Sequence, residues 1–331
     1  FESFYDAKLR PTGLALADDL LVMSFDGKGV VMRHEDLREA TRKAAEASEN
    51  KLQTRLSKGE KANRKRIALV AAVYDVAPHM RSPEEVMTAP GERASEQKQV
   101  RPRARNKRVW ARLEHSPRAV IAEGFDEAER RDPNHHRRWV ALVDGDRSQL
   151  RRIRAEAKRL GVELTIVVDL IHVLEYLWRA AWSFFEPGDE AAESWVHARA
   201  LEVLRGRAPH VAAGIRRSAT KRHLPPEKRK GADRCADYLL AKKAWLRYDE
   251  ALTLGLPIAT GVIEGACRHL VKDRMDITGA RWGLAGAEAI LRLRALRSSG
   301  DFDTYWSYHL HEDHARIHAP HYTEAEDELS S

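Results

Sequence analysis

Trp139-Val140-Ala141-Leu142-Val143-Asp144-Gly145-Asp146 opens the segment whose reading decides the fold. A helix-patterned stretch follows to about Leu160. Then come Gly161 and the run Val162-Glu163-Leu164-Thr165-Ile166-Val167-Val168, ending on Asp169. Asp169–Phe185 reads as a second helix, long and rich in aromatic residues. Strand, helix, strand, helix in succession predicts a parallel α/β arrangement. Asp146 or Ser148 is placed to cap the first helix, and Gly161 to stop it.

Working outward toward the N-terminus, residues 18–33 read as a strand, a tight turn at Asp26-Gly27-Lys28-Gly29, and a second strand, because Asp-Gly is a strong hairpin signal. Residues 35–65 read as a helix followed by a basic loop, Ser57 to Arg66. Ile67–Val76 returns to a β-type run, and Pro78, Pro83 and Pro90 punctuate a connector. Residues 92–118 are dense in Arg and Lys around Trp110, residues 119–131 look helical, and Asp132-Pro133-Asn134 is a turn.

Toward the C-terminus, residues 187–255 carry no strand signal, and their apolar positions recur at helical spacing. This predicts an all-helical insertion with a basic, Pro-containing loop around Arg216–Lys230. A helix bearing Glu264 follows, then a basic Ala/Leu-rich helix at 285–298 and an acidic, unstructured tail after about Thr323. The expected units are 1–186 and 256–300, forming one core, with 187–255 inserted and 301–331 as the tail.

A chain of 331 residues, 43% hydrophobic, is long enough for a sizeable core. The formal charge of +7 favours a polyanionic partner, although a merely soluble basic surface explains charge equally well. Cys235 and Cys267 are the only cysteines, too few for a disulfide framework, which fits a reducing, cytoplasmic compartment. No apolar run reaches the roughly 18 residues that span a bilayer, and no signal peptide is expected from the opening residues. No P-loop or dinucleotide fingerprint occurs, which argues against a phosphate-binding metabolic enzyme.

Three acids recur in patterned surroundings. Asp26 follows Leu20–Phe25, Asp144 follows Val140–Val143, and Glu264 sits in a helix near the C-terminal quarter. Ligands in parallel α/β sheets bind beyond the carboxyl ends of strands, so acids there face one crevice. Adjacent carboxylates repel and need a cation between them. A pair of divalent ions held this way is the usual equipment for cutting phosphodiesters. Each acid also has a plainer reading: Asp26 as a turn residue, Asp144 as a loop or cap residue, Glu264 as half of an exposed Glu–Arg pair worth a few tenths of a kcal/mol. Glu264, Arg268 and Lys272 lie at i, i+4, i+8, opposite the apolar Ile263, Ala266, Cys267 and Leu270. Asp169 and His172 share one side of a helix start, either as a cap and its packing partner or as an auxiliary site.

Val22–Val30, Ala141–Asp146, Val168–Trp178, Gly261–Glu264, Gly279–Trp282 and Ala285–Arg294 resemble, in order and company, the corresponding segments of bacterial insertion-sequence DDE transposases of the Kra-type group. The resemblance implies an RNase H-like mixed sheet flanked by helices, with the helical insertion before the last catalytic Glu. It implies that Asp26, Asp144 and Glu264 are the catalytic, metal-binding triad for two Mg2+ (or Mn2+) ions. Asp169 and His172 would match an Asp/Cys-x-x-His element of related Mutator-like transposases. The implied reaction is metal-dependent cleavage and strand transfer at transposon ends, on double-stranded DNA, by a homo-oligomer associated with the bacterial nucleoid. Such proteins carry an N-terminal DNA-recognition region, which is expected here to be missing or to lie upstream. Arg64, Lys65, Arg66, Arg101, Arg103, Arg105, Lys107, Arg108, Arg268, Lys272 and Trp282 are the expected DNA contacts. Two alternatives stay open: a catalytically inactive, transposase-derived DNA-binding protein, and an RNase H-fold nuclease or resolvase without strand transfer.

Overall fold

The computed structural model describes residues 1–8, 18–47, 63–88, 101–277 and 279–329. Ser57–Ala62 of the basic loop, Pro90 and residues 92–100 of the basic segment lie outside them. After helix α1 (Glu2–Ala7) come strand β1 (Leu20–Val31), α2 (Glu39–Glu46), β2 (Lys65–Val76), α3 (Pro83–Met87) and β3 (Arg105–Arg112). The expected alternation follows: α4 (Pro117–Arg131), β4 (Trp139–Val143), α5 (Arg147–Leu160), β5 (Leu164–Val168) and α6 (Leu170–Ala181). Four helices come next: α7 (Glu190–Leu204), α8 (Ala208–Lys221), α9 (Pro226–Lys242) and α10 (Tyr248–Thr253). The chain continues through α11 (Gly261–Ala266), a π-helical turn (Cys267–Lys272), α12 (Asp273–Met275), α13 (Leu284–Ser299) and α14 (Phe302–Leu329).

The sheet order is β3-β2-β1-β4-β5. β2 alone runs antiparallel to its neighbours, while β1, β4 and β5 are parallel. This is the mixed sheet of an RNase H-like α/β fold. All five residues of β4 are 0% exposed, so both faces of the sheet are covered there. Each Val or Leu buried in this way contributes roughly 1.5–3 kcal/mol. α4 packs on β1 and β2, and Gly124 lets it approach: a Cβ there would lie 2.6 Å from the Phe25 ring. The π-helical turn also packs against β1, and α13 lies against β3.

Three expectations change. The turn at Asp26–Gly29 is absent: β1 is one strand of 12 residues, paired with β2 along its whole length. Gly27 and Gly29 serve close cross-strand packing instead, since a Cβ on either would come within 2.9 Å of Ile67 Cγ2 or 2.8 Å of Lys65 Cδ. Part of the basic segment is strand β3, on the sheet edge, with Trp110 4% exposed in the core. The acidic C-terminal stretch continues helix α14 to Leu329. The helices of 187–255 are present as expected, but their buried residues join the sheet's residues in one continuous core. No helix among the described residues is long and apolar enough to cross a membrane.

Candidate active site

β1 and β4 pair Leu21 with Trp139, Val22 with Val140 and Met23 with Ala141. Carried three residues further, this offset of 118 sets Asp26 level with Asp144. The β4–β5 offset of 25, last seen at Val143–Val168, sets Asp144 level with Asp169. Three aspartates therefore stand side by side across the parallel half of the sheet, at its C-terminal end. Asp26 and Asp144 line one cleft of about 320 Å³ with Asp146, Gln149 and Arg152 on its polar side.

Backbone chemistry sharpens the exit from β4. Gly145 has φ +87°, a conformation that L side chains rarely adopt, and a Cβ there would lie 3.3 Å from Val168 Cγ2. The residue after Asp144 is thus held to glycine on two counts. The Asp144 carboxylate accepts from the Asp146 N–H at 2.8 Å, and Asp146 in turn caps α5 by accepting from the Gln149 N–H at 2.8 Å. Tyr238 of α9 donates to the Asp144 carbonyl at 3.2 Å and stacks on Tyr176 of α6 at 3.9 Å. The fully buried Tyr248 donates to the Val168 carbonyl at 2.6 Å. The helical segment therefore fixes the strand ends that carry the acids.

Asp169 is 0% exposed and joins two helix starts. Its Oδ1 accepts from the Ile171 N–H at 3.1 Å, capping α6, and its Oδ2 accepts from the Thr260 hydroxyl at 2.6 Å, just before α11. His172 Nδ1 lies 3.1 Å from the same Oδ2, so the cap reading and the Asp–His pairing both hold. That hydrogen bond raises the imidazole pKa above its ordinary value against the opposing effect of burial, with Asp144 adding attraction.

Glu264 lies on α11, exposed, with Oε1 at 3.4 Å from the Thr260 hydroxyl. One turn on, the buried Cys267 thiol donates to Asp26 Oδ2 at 3.1 Å. Burial pushes this thiol pKa upward, and the charges of Asp26 and Glu264 add to the shift. Glu264 is thereby brought to Asp26 through Cys267 and to Asp169 through Thr260. Cys267 starts the π turn, whose wider hydrogen-bond spacing breaks the strict i, i+4, i+8 face expected for Glu264, Arg268 and Lys272. All three residues are exposed, and Arg268 lies 3.6 Å from Asp273.

Among the described residues, Asp26, Asp144 and Glu264 form no ion pair with any Arg, Lys or His. Their donors are all oxygen, the chemistry that hard divalent cations take. No group of three His, Cys, Asp or Glu side chains among the described residues is arranged to hold a metal ion, and Asp26 Oδ2 takes the Cys267 thiol. The donor set fits such an ion in type and charge.

The expected DNA contacts divide. Arg108 is 6% exposed, paired with Glu127 and 3.7 Å from the Tyr5 ring centroid, so it is a core residue rather than a phosphate contact. Arg105 binds Asp19 at 2.6 Å, and Arg66 donates to the Leu113 carbonyl at 2.9 Å. Trp282 is half-buried, joined to β1 through its backbone and covered by Arg274 at 5.0 Å. Lys65, Arg101, Arg103 and Lys107 are exposed, and Arg64 is half-buried. Sequence reading missed Thr260, Cys267, Tyr238 and Gln149. Only Thr260, a capping-type residue before a helix, carried a local signal. No protein-family model and no curated protein matches the chain.

Proposed function

We propose that this protein is a metal-dependent phosphodiester-cleaving enzyme of the DDE transposase type, acting on double-stranded DNA. One observation carries the reading: Asp26 and Asp144 line one cleft of an RNase H-like sheet, Glu264 is linked toward Asp26 through Cys267 and toward Asp169 through Thr260, and none of the three acids is ion-paired with Arg, Lys or His among the described residues. Mutual repulsion of such acids is relieved by a divalent cation. When bound, Mg2+ or Mn2+ supplies charge to the phosphoryl oxygens and acidity to water.

The chain's own groups supply the rest. Asp26, Asp144 and Glu264 would hold the ions. Asp169 and Thr260 orient the start of the Glu264 helix, and Gly145 with Tyr238 fixes the Asp144 backbone. His172 adds positive charge beside Asp144 when protonated. No side-chain nucleophile is required, since water or a DNA 3′-hydroxyl attacks the phosphodiester. The resemblance to Kra-type insertion-sequence transposases supports strand transfer as the second step.

Purified protein incubated with supercoiled plasmid carrying candidate element ends should nick it only with Mg2+ or Mn2+. Joined donor–target molecules are the expected final product; simple cuts without joining would move the assignment to a nuclease or resolvase. Plasmid nicking by Asp26→Asn at the normal rate would remove the triad from the chemistry.

A further inference from the structure

α5 carries Arg147, Arg151, Arg154 and Lys158, separated by four, three and four residues, so that they form one stripe along the helix. All four are exposed, and among the described residues none has an acidic partner. The neighbouring basic surface is different: Arg159 meets Glu156, Arg229 meets Asp233, and Arg216 meets Asp237. The stripe forms one wall of a groove of about 690 Å³, whose other wall is Lys242 and Trp245 at the end of α9.

Lys242 is the unusual member. It is 6% exposed, its Nζ lies 5.9 Å from the Trp245 ring centroid, and it has no carboxylate partner among the described residues. Burial, reinforced by Arg147, holds its pKa below the usual lysine value against the weaker attraction of Asp146 and Asp144, which marks a cation kept in an unfavourable place. Five cations facing one groove repel one another unless an anion lies between them.

The groove is continuous with the acidic end of the sheet. A Cβ on Gly145, next to Asp144, would lie 3.5 Å from Lys242 Cε. From there the stripe runs along eleven residues of α5, roughly 16 Å at ~1.5 Å per residue. One strand of a DNA duplex advances ~3.4 Å per nucleotide, so about five nucleotides match this length. A small anion would engage only part of it.

We propose that the groove between α5 and the Lys242–Trp245 turn binds the sugar–phosphate backbone of duplex DNA, gripping consecutive phosphates that lead away from the acids. This goes beyond the cleavage reading, because a chain can bind here without cutting.

The test is fluorescence anisotropy of a labelled 30-base-pair DNA duplex on the full chain, in EDTA, across a salt series. Arg151→Gln/Arg154→Gln/Lys158→Gln should weaken binding at least about tenfold at low salt. It should also lower the slope of log K against log salt by roughly 2.7, at ~0.9 per lost phosphate contact. The charge-keeping Arg151→Lys/Arg154→Lys/Lys158→Arg should restore the slope. Arg216→Gln/Arg229→Gln, which removes paired arginines, should leave it unchanged. An unchanged slope in the triple Gln variant with an unaltered melting temperature would overturn the proposal, as would a change confined to an RNA duplex of the same sequence. The cleavage reading fails separately. If wild-type protein never nicks DNA but the triple variant loses the slope, the groove stands alone. If Asp26→Asn abolishes nicking while the triple variant binds normally, only the groove falls.

Discussion

The two ends of the central sheet treat carboxylates in opposite ways. At the N-terminal end of the parallel strands, Arg105 meets Asp19 at 2.6 Å and Arg137 meets Asp75 at 2.7 Å. There too Glu127, 1% exposed, takes Arg131 at 2.7 Å, Arg130 at 3.0 Å and Arg108. At the C-terminal end, Asp26, Asp144, Asp169 and Glu264 form no ion pair with arginine or lysine among the described residues, although Arg152 lines the same cleft. Their partners are backbone N–H groups, a threonine hydroxyl, a thiol and a histidine. Buried ion pairs are held by geometry and are strongly destabilised by removal of one partner. Acids left together without a cation weaken the fold they sit in. The difference separates residues that hold the sheet together from the acids that the proposed function assigns to a metal ion.

The largest expected effect breaks one side of this contrast alone. Asp26→Asn, Asp144→Asn or Glu264→Gln should lower metal-dependent nicking about 10²–10³-fold, the scale of losing a charge-stabilising group. DNA affinity in EDTA should stay near wild type. Glu127→Ala should do the reverse. It strands Arg108, leaves Arg131 with only Asp75 at 3.7 Å, and should cost about 3–5 kcal/mol in chemical denaturation, while the metal requirement of nicking is unchanged. A Glu127→Ala variant as stable as wild type would erase the distinction between the two ends.

A smaller effect sharpens it. Without divalent metal, Asp144→Asn should lose no more than about 0.5 kcal/mol of stability, because no ion pair is lost and repulsion is relieved. The smallest concerns His172. Its pKa is raised by Asp169, so its contribution to stability is complete below the ordinary 6.5 and fades as pH rises through the higher folded value. The ring is 39% exposed, and solvent screens the pair. Urea midpoints of wild type and His172→Gln should differ at pH 5.5 and converge as pH rises. A difference that grows with pH would contradict the pairing.

Much of the fold was legible in sequence because β4, α5, β5 and α6 have local signatures: apolar runs, an Asp146 cap and a Gly161 stop. Where long-range partners decide, local reading failed. Asp26-Gly27 has turn chemistry, but β2 pairs with β1 across the whole segment, and the small glycines admit Ile67 and Lys65. The arginines of β3 read only as part of a dense basic segment because the acids that bind them, Asp19 and Glu127, lie elsewhere in the chain. The strand-end reading holds for Asp144 and Asp169, whereas Asp26 lies inside β1, which runs on to Val31, and only the register shows that it stands level with them. Thr260 and Cys267, which tie Glu264 to those aspartates, act through contacts of 91 and 241 residues' separation. No local pattern records such contacts.

The central claim is that Asp26, Asp144 and Glu264 together take up a divalent cation. Mn2+ binding followed by calorimetry, with thermal denaturation on the same samples, tests it most directly. Wild-type protein should bind Mn2+ and gain about 2.7 kcal/mol of stability at a hundredfold excess over Kd. Each single carboxamide variant should bind far more weakly, and Asp26→Asn/Asp144→Asn/Glu264→Gln should show neither binding nor stabilisation. Mn2+ binding of undiminished affinity in the triple variant would contradict the account.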